Sequence, residues 1–307
     1  NNFIVDREGN RINRRNAHDI FTVLYNHQIP PGAGQTVHYQ LNVPTDSVAP
    51  IEVTARLLYR KFDTEYLDYV RADRDPDRDP LDLGAVGDPN DLPIIEISSD
   101  SVVLSVVDQY QPLDSEWINA KQSDDEKPIP TWQRWNDYGI GLLLKGKAEL
   151  KQAADAFTMV ASMGRFDGPM NLARVQFSEG DLTGAIESLS NALTMTPAPP
   201  AWTHAWLSGM VNRQQGNLQK AAELLAGVVS TKVPERGFDF SADYVVRNQL
   251  ALTLLDLAQR ADVMGDEDEF QSYLDQSRGE FERVLQFDRE NATAHANLAK
   301  IAALAGD

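Results

Sequence analysis

The stretch Met170-Asn171-Leu172-Ala173-Arg174-Val175-Gln176-Phe177-Ser178-Glu179-Gly180-Asp181-Leu182-Thr183-Gly184-Ala185-Ile186-Glu187-Ser188-Leu189-Ser190-Asn191-Ala192-Leu193-Thr194-Met195-Thr196-Pro197 decides how the second half of the chain folds. Its apolar residues recur at helical spacing on both sides of Gly180-Asp181. Ala173, Ala185 and Ala192 are small enough to let two antiparallel helices approach closely, while Leu172, Ile186, Leu189 and Leu193 fill the seam between them. Pro197 cannot continue the second helix and ends the unit.

The positions Leu172-Ala173, Gly180-Asp181, Ala185-Ile186, Leu189, Ala192-Leu193 and Pro197 resemble the tetratricopeptide pattern at every expected spacing. One such helix pair cannot bury its own face, so neighbours are required. Upstream, Trp135, Tyr138-Gly139, Leu142, Gly146, Ala153, Phe157 and Val160 match once two extra residues are allowed at the turn. Downstream, Gly209, Gly216, Ala221, Leu225 and Val228 match without adjustment. A fourth unit uses Leu250-Ala251, Leu254, Phe281 and Val284, with an acidic insertion around Gly265-Asp266-Glu267-Asp268 lengthening its middle. His295, Leu298-Ala299 and Gly306 open a fifth unit, leaving a terminal capping helix. The resemblance covers residues 132–307 as an array of about four repeats plus that helix.

It implies that the first helices of successive repeats line a concave face that holds a peptide or loop of a protein partner. Carried over position by position, that face takes Asn136, Ile140 and Leu143 from the first unit and Met170, Arg174 and Phe177 from the second. Trp206, Met210 and Arg213 come from the third, and Asn248 and Leu252 from the fourth. Aromatic, Met and Arg side chains are the usual anchors of an interface. The same aromatics can instead seal the stack or contact the first domain. The Lys and Asn pattern with which some members of the family clamp a C-terminal carboxylate is absent at these positions.

Residues 1–108 have a different period. Phe3-Ile4-Val5 and Arg11-Ile12 flank Arg7-Glu8-Gly9-Asn10 as a hairpin. Val37, Tyr39, Leu41 and Val43 alternate with polar residues up to Pro44, as do Ile51, Val53, Ala55, Leu57 and Tyr59, and then Val102, Leu104 and Val106. With turns such as Pro30-Pro31-Gly32-Ala33-Gly34 between them, these strands predict a β-sandwich-like antiparallel domain. Residues 109–131 are polar, lack apolar periodicity and form a linker.

The chain has 307 residues, 42% of them hydrophobic and 24% charged, which suits two folded soluble domains. No apolar run approaches the ~20 residues needed to span a bilayer. A formal net charge of −18 argues against nucleic acid as a ligand, since its phosphates call for basic surfaces. The absence of cysteine excludes disulfides, zinc–thiolate sites, iron–sulfur clusters and covalently attached haem within these residues. The start at Asn1-Asn2-Phe3, with neither an initiator Met nor a signal-peptide core, leads us to expect a portion of something longer.

Phosphate loops, nucleophile elbows, His-Glu-x-x-His and dinucleotide fingerprints are all missing, so the expectation is a protein without catalytic residues. Asp73, Asp75, Asp77 and Asp79 alternate as calcium-loop ligands do, because Ca²⁺ takes roughly six to eight oxygens. Counting from Asp73, however, Arg78 stands where Gly is wanted and Gly84 where Glu is wanted, and a solvated acidic loop explains the run as well. His18, His27 and His38 are isolated from other ligands.

A second resemblance lies in Ile12-Asn13-Arg14-Arg15-Asn16-Ala17-His18-Asp19-Ile20-Phe21, Leu24-Tyr25-Asn26-His27-Gln28-Ile29-Pro30-Pro31-Gly32-Ala33-Gly34 and Leu58-Tyr59-Arg60-Lys61-Phe62. These are similar to the β region between the haem domain and the repeats of bacterial multihaem cytochrome c proteins. The resemblance implies an accessory portion or partner of such a cytochrome in electron transfer, located outside the cytoplasm, periplasmic or extracellular. Haem c would then sit on an upstream domain or a partner, because Cys-x-x-Cys-His is wholly absent here. His27, beside Pro30-Pro31, is a remote candidate for an iron ligand on a neighbouring domain. The alternative from a different class is a metal-dependent or hydrolase-like enzyme with an unrecognised site.

Overall fold

A computed structural model describes residues 2–12, 18–26, 29, 34–63, 67, 93–106 and 129–306. The chain divides into two compact units, Asn1–Pro31 with His38–Trp117 and Gly32–Val37 with Ile118–Asp307. The short segment Gly32–Val37 thus leaves its sequence neighbours and joins the helices. Most of the 109–131 linker lies outside the described residues, and the first helix begins at its last residue, Thr131.

In the first unit, β1 (Asn2–Val5) pairs antiparallel with β2 (Arg11–Ile12), Ile4 opposite Ile12. Gly9, at φ +86°, supplies the left-handed turn residue that the hairpin needs. The other edge of β1 pairs with β3 (Thr22–Asn26), giving the order β2-β1-β3. A separate antiparallel pair joins β4 (Ile51–Tyr59) to β5 (Ile95–Leu104) with a register shift after Leu57. The alternating residues 36–43 form no ladder among the described residues, and Tyr39 is 92% exposed. Alternation reports an extended chain; a strand also needs a partner edge.

The second unit holds nine α-helices among the described residues. They are α1 (Thr131–Lys145), α2 (Leu150–Ser162), α3 (Asp167–Glu179), α4 (Leu182–Leu193), α5 (Ala201–Gln214), α6 (Leu218–Val229), α7 (Tyr244–Met264), α8 (Glu267–Phe287) and α9 (Ala292–Ala305). They pair α1 with α2, α3 with α4, α5 with α6 and α7 with α8, each an antiparallel helix hairpin of the kind the repeat pattern predicts, and α9 closes on α7 and α8. The two extra residues of the first unit form a short 3₁₀ turn, Lys147–Glu149, between α1 and α2.

The small residues of the repeat lie where the spacing requires them. Ala173, Ala185, Ala192, Ala221 and Ala251 are fully buried between helices. A Cβ on Gly139 would stand 2.6 Å from Cε1 of Phe157, so the closeness of α1 to α2 depends on that glycine. Helix ends are capped locally: Asp181, Asp266 and Asn291 each accept a backbone N–H three residues on, and Asp243 accepts from Val245 and Val246. Each such cap is worth about 1 kcal/mol.

Two features of the fourth unit differ from the sequence reading. The acidic insertion is not an irregular loop: α7 and α8 are each 21 residues long, and Glu267, Asp268 and Glu269 form the first turn of α8. Carboxylates are favourable there against the positive end of the helix dipole. Between α6 and α7 the chain inserts a hairpin of β6 (Lys232–Val233) and β7 (Phe238–Asp239), turned by Pro234–Arg236 and Gly237. Trp202 of α5 packs on it, its ring 4.8 Å from that of Phe240 and 6.5 Å from that of Phe238.

Candidate functional site

Side-chain bridges tie the first helices in two groups, α1 with α3 and α5 with α7 and α9. Asn171 Nδ2 of α3 donates to Asn136 Oδ1 of α1 at 2.9 Å. Arg213 of α5 reaches α7 twice, Nη1 donating to Gln249 Oε1 at 3.1 Å and Nη2 to Asp256 Oδ2 at 2.8 Å. Asn248 Nδ2 of α7 donates to Asn291 Oδ1, the cap of α9, at 3.1 Å. No polar side-chain bridge joins α3 to α5 among the described residues. Apolar packing spans that step, with Phe177 and Met170 in one cluster with Leu207 and Val211.

The residues expected on the concave face therefore separate. Met170 is 5% exposed and Asn248 is 8% exposed. Met170 is closed over by Ala173, Leu189 and Leu207, so it belongs to the core and offers no surface to a partner. Asn248 is spent on the α7–α9 contact and leaves its Oδ1 buried without a hydrogen bond. Ile140 and Leu143 flank the α1–α2 core, Leu252 flanks the core of the last unit, and Trp206 leans on Leu225, Val246 and Leu250. These side chains and Phe177 remain part-exposed, as do Asn136 and Met210. Arg213 is committed to Asp256 and is 25% exposed.

Arg174 is different. It is exposed, and its Nη1 donates to Asn171 Oδ1 at 3.0 Å. Among the described residues no carboxylate pairs with it. Burial lowers its pKa from the ordinary arginine value. A guanidinium stays charged even when so shifted. Asn136, Asn171 and Arg174 form one connected polar strip across α1 and α3, bordered by Ile140 and Phe177.

A concavity of about 600 Å³ lies between α6 and α8, floored by Leu250, Leu254, Leu257 and Tyr273 and rimmed by Glu223 and Arg283. It was not legible in the repeat register, because it results from the lengthened α7 and α8. No group of three or more His, Asp or Glu side chains able to hold a metal occurs among the described residues. Asp73, Asp75, Asp77, Asp79 and His27 lie outside the described residues. His18 is an exposed neighbour of Asp19, and His295 Nε2 lies 2.8 Å from the carbonyl of Arg289.

No family model matches this chain, and no curated protein matches it. Solved structures with a similar chain include YrrB, described as a TPR protein with an unusual peptide-binding site. It is 16% identical, with a TM-score of 0.42 over 56% of this chain and 76% of that one. Another is MamA, 16% identical, with a TM-score of 0.40 over 55% of this chain and 85% of that one.

Proposed function

We propose that the helical array is a protein-interaction scaffold whose first-helix face takes an extended segment of a partner polypeptide, with Arg174 receiving a carboxylate or carbonyl oxygen of that segment. The observation that carries this reading is Arg174 itself. It is exposed on the first-helix face, donates to Asn171 and pairs with no carboxylate among the described residues, so its guanidinium is available to an oxygen of a partner. Asn136 and Asn171 beside it carry both donors and acceptors, as a peptide backbone requires, and Phe177 and Ile140 offer apolar contact on either side. Selection of a displayed random-peptide library on the whole chain tests it. The expected result is enrichment of peptides with an acidic residue or free C-terminus, lost in Arg174→Ala and kept in Arg213→Ala. Equal enrichment by wild type and Arg174→Ala would overturn it.

The finer reading is that this scaffold is the accessory portion or partner of an extracytoplasmic multihaem c-type cytochrome, and it is supported by the resemblance of residues 12–34 and 58–62. This chain cannot itself carry covalent haem, since it has no cysteine for a thioether bond. Its own residues would supply contact surface only. Oxidised and reduced absorbance spectra of the native protein with its co-purifying partners test the reading. A Soret band is expected, and native material with neither that band nor an associated haem protein would leave the scaffold without the cytochrome. No helix among the described residues is long and apolar enough to cross a membrane.

A further inference from the structure

The second and third repeats each rest on the one before through an equivalent side chain of the first helix. Val175 of α3 is fully buried against Leu142, Leu150 and Phe157 of the first hairpin. Val211 of α5 is fully buried against Met170, Leu189 and Ala192 of the second. The corresponding residue of α1 is Gly141, and no hairpin precedes α1 among the described residues. Gly141 is nonetheless buried. What covers it is an extended piece of chain that lies in sequence between β3 and β4.

The contact is close. A Cβ on Gly141 would stand 2.4 Å from Thr36 Oγ1 and 2.8 Å from the Thr36 backbone N. A Cβ on Gly34 would stand 2.6 Å from the Asp137 carbonyl oxygen. Thr36 Oγ1 donates to the Tyr138 carbonyl oxygen at 3.3 Å. Two glycines, one on each surface, thus let backbone lie against helix where any side chain would hold them apart. Burial also raises the Asp137 carboxyl above the usual carboxylate range.

We propose that residues 34–37 are a detachable latch, capping the first face of the helical array in the place where a preceding repeat would sit. A repeat array needs its terminal faces covered. A helix hairpin does so with a large apolar surface; here the cover is Gly34, Gln35 and Thr36, all half-exposed, with a side-chain bond to the helix near the long end of the hydrogen-bond range. Such an element opens at a small fraction of the free energy that unfolds the helices beneath it. Asn136 and Ile140 alternate with Asp137, Tyr138 and Gly141 along the same turns of α1. Opening the latch therefore frees the helix that forms one wall of the groove. The latch does not depend on the groove having a partner, so the two readings fail separately.

Because the chain has no cysteine, a single introduced thiol reports the latch without background. In the full chain, Thr36→Cys is expected to react with a thiol reagent at least about tenfold more slowly than Thr45→Cys, at an exposed position of the same stretch. Adding Gly34→Val, which alters only the strap side, brings the two rates together while helical circular dichroism and melting stay as they were. Gly141→Val does the same from the helix side. Equal rates for Thr36→Cys and Thr45→Cys without either valine would overturn the latch. So would a slow Thr36→Cys that Gly34→Val leaves slow.

Discussion

The ion pair between Arg247 of α7 and Glu280 of α8 gives the sharpest test of how the last full repeat is held. Their side chains are 9% and 12% exposed. Arg247 also donates through Nε to the carbonyl of Ser241, so one guanidinium joins both long helices to the end of the β6–β7 insertion. Glu280 has a second partner in Arg283, Nη1 to Oε1 at 2.6 Å, but that arginine is 57% exposed. Removing one member of a buried pair strands the other and costs about 3–5 kcal/mol. With Arg283 left to screen Glu280, Arg247→Ala should lie near 3 kcal/mol, the lower end of that range. Glu280→Gln strands a guanidinium with no such relief and should cost more. Replacing both, Arg247→Met with Glu280→Leu, should be within ~1 kcal/mol of wild type because no charge is left buried. Urea unfolding followed by circular dichroism gives the totals, and hydrogen exchange of α7 and α8 amides places the loss. A loss below ~1 kcal/mol for Arg247→Ala, or a double variant as damaged as the single ones, would refute the view that desolvation of an unpaired charge governs this site.

Other expectations follow from the same packing. Gly279 stands mid-helix in α8 with nothing within 4 Å of an added Cβ, so Gly279→Ala should stabilise the chain by roughly 1 kcal/mol through helix propensity, read from the urea midpoint. Gly139→Ala, in contrast, pushes a methyl into the Phe157 ring and should cost about 1–3 kcal/mol in the same assay. The raised pKa of Asp137 means that the folded chain binds its proton more tightly than the unfolded one. Stability should fall as pH rises from 3.8 through the folded value, and Asp137→Asn should remove that decline in pH-dependent melting. Asp239 is held down to about 2 by hydrogen bonds from Lys232 and then Ser241. Its contribution to the hairpin should be present above the unfolded value of 3.8 and disappear as pH falls through about 2, which an NMR titration of Asp239 checks.

The repeat was legible because close helix packing admits few residue types at a few positions: Ala173, Ala185 and Leu189 had to be small or apolar wherever they fell. In the first unit, Ile51–Tyr59 and Ile95–Leu104 were found from alternation at Ile51, Val53, Ala55 and Leu57 and at Val102 and Leu104. The strand Thr22–Asn26 was missed because Val23, Leu24 and Tyr25 run together without alternating, which leaves no period to read. Two-residue strands such as β6 and β7 are too short to have one. At the candidate site, register identified the helix face but not the depth of each position on it. Met170 and Arg174 are one turn apart in sequence, and only the crossing of α3 with α4 and α5 makes one of them core and the other exposed. The importance of Gly141 was equally hidden, since its neighbour Thr36 lies far away in sequence.

Among the described residues no polar bridge crosses the step from α3 to α5, so the two sides of that step are joined by a different kind of contact from the rest of the array. Side-chain clasps join α1 with α3, and α5 with α7 and α9, while the step between them rests on the buried apolar cluster of Met170, Leu189, Leu207 and Val211 and on a connection through Pro197, Pro199 and Pro200. Thinning that cluster, as in Leu207→Ala, should therefore part the array at this step before either clasped segment unfolds. A segment seated along the first helices would lie across this step, so its hold on the two sides would depend on how firmly that cluster keeps them together.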